Sequence, residues 1–229
     1  MLRYRLARLL LAGIALLSVP LAARTPDWVR SYTVSPVRGY VIGNPEAPLK
    51  LVEFLSFTCN HCAEFWNQAI VPLKRDYVAS GKLSLEIRHA VRDRFDLVAT
   101  MLARCDGPRR FFEHSEAILA AQPQWLARAQ VYERTQAEAI AKLSGPALLV
   151  AAASGSGLES LMIRRGMTAE KVRRCLTDPA QQQAVATQTH DAWNVIRIRG
   201  TPGFLLNGEL LDRTASWATL QPQIDSKLN

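Results

Sequence analysis

The sequence has few of the features that mark several large classes of protein. Its 229 residues contain only four cysteines, no evident N-glycosylation motif and, beyond the N-terminal region, no apolar run long enough to span a bilayer. These absences argue against a disulfide-dense extracellular scaffold and a multi-span membrane protein. Basic residues form no continuous stripe, because Arg164–Arg165 and the run 171–174 are separated by acidic and apolar positions. We therefore expect no nucleic-acid partner.

The N-terminus carries the pattern of a secretion signal. Arg3, Arg5 and Arg8 precede the apolar stretch Leu9–Val19, and small residues suited to cleavage follow. A stretch of about 11 residues is shorter than the ~20 that a spanning helix needs, which favours a cleaved signal peptide over residues 1–23 rather than an uncleaved anchor. With neither glycosylation nor a cysteine-dense pattern, the mature protein is expected in a bacterial periplasm.

The first half of the mature chain predicts strands on either side of a helix. Tyr32–Val34 is a short extended run among the prolines of residues 25–48, which indicates an N-terminal arm or edge strand, and no core is expected to begin in this segment. Leu49–Phe57 is almost wholly apolar, with one interruption at Glu53, as in a central strand covered on both faces. A helical pattern over Cys62–Ser80 follows, and Lys82–Val91 predicts a second strand.

The second half predicts mostly helices and one hairpin. Residues 95–178 contain no convincing strand, and their helical runs are broken by glycine and proline pairs. After a long helix over 179–196, two extended runs flank Asn207-Gly208, a favoured hairpin turn, and a final helix follows. This order predicts an α/β domain in two parts, residues 24–94 and 179–229, with residues 95–178 as a helical insertion.

Cys59 and Cys62 form the one closely spaced cysteine pair. A C-x-x-C motif where a buried strand gives way to a helix places the first cysteine at the helix N-terminus, where free N–H groups and the helix dipole favour a thiolate. We therefore predict that Cys59 is an exposed nucleophile and that Cys62 is a partly buried resolving thiol.

Two other interpretations of this pair stay open. A structural metal site could use both sulfurs and His61, but it needs two more ligands at short spacing, and the next cysteine, Cys105, lies forty-three residues further on. A static disulfide is the second, although a four-residue ring at a helix start is better suited to redox exchange than to a structural link. We expect neither a metal nor a cofactor. In an oxidising compartment, Cys105 and Cys175 are expected to form a structural disulfide within the insertion.

The segment around the pair resembles a known family. Residues 51–62 look like the active-site strand and turn of the DsbA-like thiol–disulfide interchange proteins of the thioredoxin superfamily, and residues 199–208 are similar to that family's cis-proline loop and hairpin. The resemblance implies a thioredoxin-like fold with an inserted helical subdomain. It also implies that Pro202 is a cis-proline facing the cysteines, that Thr201 offers backbone groups to a substrate peptide, and that Glu53 lies beneath Cys62 and passes protons.

One departure concerns the residues between the cysteines. The best-known members have proline and histidine there, whereas this chain has Asn60 and retains His61. Asn60 lacks the fixed φ of proline but can present a polar side chain to the thiolate, and His61 can add positive charge. The change bears on how oxidising the protein is rather than on whether it exchanges disulfides.

These patterns together predict a periplasmic thiol–disulfide oxidoreductase. The expected substrates are cysteines of secreted, incompletely folded proteins, and a membrane redox partner is expected to reset the pair. We expect the protein to donate its disulfide, because the Cys59 thiolate stabilises only the reduced form. A reductase or isomerase of the same fold is the alternative within the enzyme class. A peptide-binding chaperone with an incidental redox pair is the alternative from another class.

Overall fold

A mixed sheet forms the centre of the computed structural model, which describes residues 26–228; the predicted signal peptide lies outside the described residues. Within that range the sheet has six strands in the order β1-β2-β4-β3-β5-β6. The strands are β1 (Tyr32–Val34), β2 (Tyr40–Gly43), β3 (Leu49–Leu55), β4 (Leu83–His89), β5 (Gly203–Leu206) and β6 (Glu209–Leu210). Only β3 and β4 pair in parallel, and the other neighbours are antiparallel.

The central strand β3 is covered on both faces, as its apolar sequence predicts. Its alternate side chains Leu51 and Leu55 belong to the large core, while Val52 and Phe54 belong to a smaller cluster on the opposite face. Glu53 therefore points to the same side as the large core, where it is buried. This alternation places one carboxyl group inside the main core of the protein.

Helices account for most of the remaining chain. The described residues contain α1 (Asn60–Pro72), α2 (Arg94–Arg104), α3 (Gly107–Ala120), α4 (Gln122–Thr135), α5 (Ala137–Ala141), α6 (Gly145–Ser156), α7 (Leu158–Arg164), α8 (Ala169–Leu176), α9 (Pro179–His190) and α10 (Trp217–Leu228). Helices α2 to α8 follow one another between β4 and α9, the part of the chain expected to form the insertion. Among the described residues no single helix could cross a membrane; α6 and α7 reach sufficient length and apolarity only together, and they are bent by 72°.

Two helices change their winding at their C-terminal ends. Helix α1 contains Pro72 at its last position and continues as a π-helical turn over Leu73–Val78, because proline removes a backbone donor. Helix α9 likewise continues as a π-helical turn over Asp191–Ile196, and Arg197 then takes a left-handed conformation with φ of 60°. The chain leaves this second turn directly into the loop that precedes β5.

The expectation that no core begins before residue 49 is wrong. Strand β2 lies between β1 and β4, and its Tyr40 and Ile42 are buried in the large core. Four residues are too few to show a clear period of two, which explains why the sequence did not reveal this strand. The long-range pairing of β2 with β4 supplies the stability that local sequence does not.

Candidate active site

The turn between β3 and α1 carries the cysteine pair. Cys59 is the N-cap residue of α1, with extended φ and ψ of −87° and 117°, and Cys62 lies in the first turn of the helix. The two sulfurs are present as free thiols. This placement puts Cys59 beside the N–H groups that the first helical turn leaves without intrahelical partners.

The pKa of Cys59 is lowered to about 5. A hydrogen bond from the Cys62 thiol is the largest cause, and burial of the sulfur opposes it. The Thr201 side chain and the backbone N–H groups of Cys62 and His61 add further hydrogen bonds to the thiolate. Cys59 is therefore a thiolate at neutral pH, as expected for a cysteine at a helix N-terminus.

The Cys62 thiol is buried and lies close to the Cys59 sulfur and the Glu53 carboxyl group. Its pKa is raised well above the usual range, first by burial and then by its hydrogen bond to Cys59 and by the charges of Glu53 and Cys59. Burial also raises the pKa of Glu53 to about 8, against the opposing hydrogen bond from Trp66. The Trp66 indole N–H lies 2.9 and 3.0 Å from the two carboxyl oxygens of Glu53. The pair thus has one thiolate and one thiol that keeps its proton.

The loop before β5 lies against Cys59, because β5 pairs with β3, the strand that leads to the cysteines. The Thr201–Pro202 peptide bond is cis, and the thiol form of Cys59 donates a hydrogen bond to the Thr201 carbonyl at 3.0 Å. A groove of about 550 Å³ runs along this loop. Its lining residues are 198–203 and 210–215. The groove adjoins Cys59 through Thr201, which lines it and whose carbonyl accepts the Cys59 hydrogen bond.

The exposure expected of Cys59 is wrong. Only 3% of the residue is exposed, because the Thr201 loop packs against its sulfur. Asn60 and His61 instead occupy the open side of the turn, and the imidazole of His61 lies 3.9 Å from the Glu64 carboxylate. His61 supports the thiolate through its backbone N–H, rather than through the charge that its side chain was expected to supply.

Three further side chains hold the turn and were not singled out from the sequence. Asp93 and Asp96 accept hydrogen bonds from residues 56–58, and Gln122 donates to two carbonyls of the turn. Asp93 carries a signal that could have revealed it, because an aspartate directly before an apolar helical run is a favoured N-cap. Gln122 carries none, since only the fold brings it to the turn.

The second pair of cysteines lies away from the turn. Cys105 and Cys175 are joined by a disulfide with a Cα–Cα distance of 5.4 Å, linking the end of α2 to α8 across 70 residues. Among the described residues, no cluster of three or more His, Cys, Asp or Glu side chains could hold a metal ion.

Comparison with known proteins places the chain in a family. The model of the family described as thioredoxin matches residues 35–226. The chain belongs to the thioredoxin family. The α/β thioredoxin-like fold class is thereby confirmed, and the helices between β4 and α9 enlarge the thioredoxin framework.

Solved structures of similar fold include a protein-disulfide isomerase and DsbA proteins, which confirms the fold that the resemblance implied. A protein-disulfide isomerase from Novosphingobium aromaticivorans is 35% identical, with a TM-score of 0.78 over 82% of this chain and 96% of that one. The alpha-DsbA1 protein of Wolbachia pipientis (T172V form) is 18% identical, with a TM-score of 0.66 over 84% of this chain and 92% of that one. At that identity the second likeness concerns the fold alone.

Curated relatives with similar sequences are named as disulfide oxidoreductases. A Rickettsia bellii protein named "Putative protein-disulfide oxidoreductase" is 27% identical over 169 residues, which cover 73% of this chain and 56% of the relative. A Rickettsia felis protein of the same name is 27% identical over 73% of this chain and 52% of the relative. The chain thus spans about half the length of the curated relatives it matches.

Proposed function

We propose that this family member is a periplasmic thiol–disulfide oxidoreductase that passes the Cys59–Cys62 disulfide to cysteines of secreted, incompletely folded proteins. The observation that carries the proposal is the Cys59 sulfur, whose pKa is about 5 and which lies between a helix N-terminus and a cis-proline loop. A low pKa stabilises the Cys59 thiolate, which exists only in the reduced protein, so the disulfide is readily given up. The same low pKa makes Cys59 a good leaving group when a mixed disulfide is resolved.

The exchange proceeds in two steps. A substrate thiolate attacks the Cys59 sulfur of the disulfide, which forms a mixed disulfide and releases Cys62. A second substrate thiolate then attacks the substrate sulfur of that mixed disulfide, which forms the substrate disulfide and releases Cys59 as a thiolate. Two electrons pass from the two substrate thiols to the cysteine pair.

Glu53 is the group that supplies the proton for the first step. When Cys62 leaves, its buried sulfur needs a proton, because burial and neighbouring charge keep the pKa of Cys62 well above the usual range. Since the pKa of Glu53 is raised to about 8, the carboxyl group holds a proton at pH 7 and can donate it. In the reverse step, the Glu53 carboxylate takes this proton back.

The groove beside the Thr201–Pro202 loop receives the substrate. Extended substrate chains pair with the backbone of Thr201, which holds the incoming cysteine near the Cys59 sulfur. Asn60 and His61 line the open side of the turn and meet the substrate as it arrives. After each donation, a membrane redox partner reoxidises the pair through the same opening.

A reductase or isomerase is the second candidate function. It is favoured by the 35% identity to a structure named as a protein-disulfide isomerase. In that direction the Cys59 thiolate is the attacking group and the reduced pair is the starting state. The reduction potential of the pair distinguishes the two: a value near that of DsbA supports the donor, and a value near that of thioredoxin supports the reductase.

Trapping of mixed disulfides tests the proposal. The Cys62→Ser variant, incubated with a secreted protein that carries free thiols and a small-molecule oxidant, should accumulate adducts through Cys59, whereas Cys59→Ser should not. Adducts through the second variant alone would reverse the roles. Peptide binding that persists in Cys59→Ser, with no disulfide exchange by the wild type, would instead support a chaperone. Cell fractionation of the full-length protein checks the periplasmic location.

A further inference from the structure

The helical insertion reaches into the active-site turn through buried polar side chains. The turn comprises residues 56–59 and connects β3 to α1. Its partners are the start of α2, which carries Asp96, and the start of α4, which carries Gln122. Both helices belong to the part of the chain between β4 and α9, so the turn is held from outside the thioredoxin framework.

Gln122 fixes the backbone on either side of the nucleophile. Its side chain is 3% exposed, and Nε2 donates to the Phe57 carbonyl at 2.7 Å and to the Cys59 carbonyl at 2.9 Å. The Cys59 carbonyl also accepts the Ala63 N–H at 3.2 Å, which opens α1. Two donors on one carbonyl restrain the extended conformation of Cys59, and this conformation sets the direction in which its sulfur points.

Asp96 holds the preceding residues. The carboxylate is fully buried and accepts three hydrogen bonds: from the Ser56 hydroxyl at 2.6 Å, the Phe57 N–H at 2.7 Å and the Arg92 N–H at 3.0 Å. Burial raises the pKa of Asp96 to about 7, and the hydrogen bonds oppose that shift. Burying a carboxyl group is costly, and among the described residues no cationic side chain forms an ion pair with Asp96, so its place beside a reactive turn points to function rather than to packing.

We propose that Gln122 and Asp96 are positioning residues through which the helical insertion keeps the Cys59 sulfur against the N–H groups of α1 and so sets its thiolate stability. The proposal rests on the redox function proposed above. Helix N–H groups stabilise a thiolate only at hydrogen-bonding distance and angle, so a small rotation of the turn removes that stabilisation. Both side chains bond to the turn itself and act on the sulfur through it.

The Gln122→Leu variant of the full chain tests this. It removes both donors at similar volume, and we expect the pKa of Cys59, followed by thiolate absorbance, to rise by about half a unit or more. The equilibrium with glutathione at pH 7 should then shift about threefold toward the disulfide form of the protein, because the thiolate stabilises only the reduced form.

Gln188→Leu is the matched control. Gln188 is 2% exposed, and its amide also makes two backbone hydrogen bonds, to the Val37 carbonyl and from the His89 N–H, but none of these groups belongs to the turn. This variant should lose thermal stability as Gln122→Leu does while the pKa of Cys59 and the glutathione equilibrium stay at the wild-type values.

A milder second variant keeps the test decisive if Gln122→Leu does not fold. Ser56→Ala removes one donor to Asp96 and should raise the pKa of Cys59 by a smaller amount in the same direction. A wild-type pKa and glutathione equilibrium in Ser56→Ala and in any folded Gln122→Leu protein would overturn the positioning role. A wild-type protein that lacks a low-pKa thiol or exchanges no disulfides would overturn the redox function itself, which is a separate outcome.

Discussion

The stability difference between the reduced and oxidised proteins should depend on pH in a defined way. The pKa of Cys59 is about 5 in the folded protein, against about 8.5 for a cysteine in an unfolded chain. Since folding lowers this pKa, the thiolate stabilises the reduced fold fully above pH ~8.5, partly at pH 7, and no longer once the pH falls through about 5. The oxidised protein has no thiolate and lacks this dependence.

The stabilisation of the reduced protein by the thiolate follows from the difference between the pH and the pKa of Cys59 in the folded protein. At pH 7 the thiolate lies about two units above its pKa of about 5, and each unit corresponds to ~1.4 kcal/mol, so the reduced protein gains ~2.7 kcal/mol that is almost absent at pH 4. For a chain of this size each kcal/mol shifts the melting temperature by about 2–4 °C. The reduced-minus-oxidised melting difference should therefore fall by about 5–10 °C between pH 7 and pH 4.

Calorimetry of both redox forms at pH 4, 5, 6 and 7 measures this change. Other buried acids also titrate, among them Glu53 and Asp96, so the Cys59→Ser/Cys62→Ser double variant supplies the pH dependence that these acids produce without a thiolate. At pH 7 we also expect the reduced form to melt above the oxidised form. A melting difference that stays constant with pH, or that grows as the pH falls, would refute the thiolate as the source of the oxidising tendency.

Further expected outcomes concern Glu53 and the Cys105–Cys175 disulfide. The oxidised Glu53→Gln variant should be more stable than the wild type at pH 8 but not at pH 4. Burial raises the pKa of Glu53 in the folded protein, so the wild type loses stability as the pH rises above the unfolded-state pKa of ~4.5. Urea unfolding at both pH values shows the difference or rules it out. In stopped-flow measurements at pH 7, the same variant should release Cys62 more slowly, and an unchanged rate would remove Glu53 from proton transfer. The Cys105→Ala/Cys175→Ala variant should lose up to ~4 kcal/mol of stability, since a 70-residue loop is no longer closed, and thiol counting on the oxidised wild type should find no free cysteine.

Local sequence patterns account for the parts of the site that lie close together in the chain. The buried strand β3, the C-x-x-C motif and the helix after it are consecutive, so their geometry follows from periodicity and the position of the helix start. The hairpin of β5 and β6 follows in the same way from Asn207-Gly208, whose φ values are 51° and 84°.

The parts that local patterns could not predict depend on contacts between distant segments, and the Thr201–Pro202 loop was expected at the cysteines only through the family resemblance. Cys59 is covered by Thr201, which lies 142 residues further on, and Gln122 reaches the Cys59 carbonyl across 63 residues. Hydrophobic periodicity cannot predict such contacts, because neither Thr201 nor Gln122 is unusual within its own helix or loop. Trp66 is an intermediate case: its helical spacing predicted a buried face, but its hydrogen bond to Glu53 depends on how α1 packs on β3.

The ionisable groups around Cys59 act as one unit rather than as separate sites. Burial raises the pKa values of Glu53 and Cys62, and the negative charge of Cys59 raises both further. The pocket therefore favours a single negative charge at neutral pH, and Cys59 carries it because the Cys62 thiol, and to a lesser extent the helix N–H groups, donate hydrogen bonds to that sulfur. When Cys59 enters a disulfide its charge disappears, and the pKa of Glu53 then falls. Glu53 thus becomes a better proton donor to Cys62 in the oxidised protein, which is the state in which Cys62 must accept a proton as it leaves.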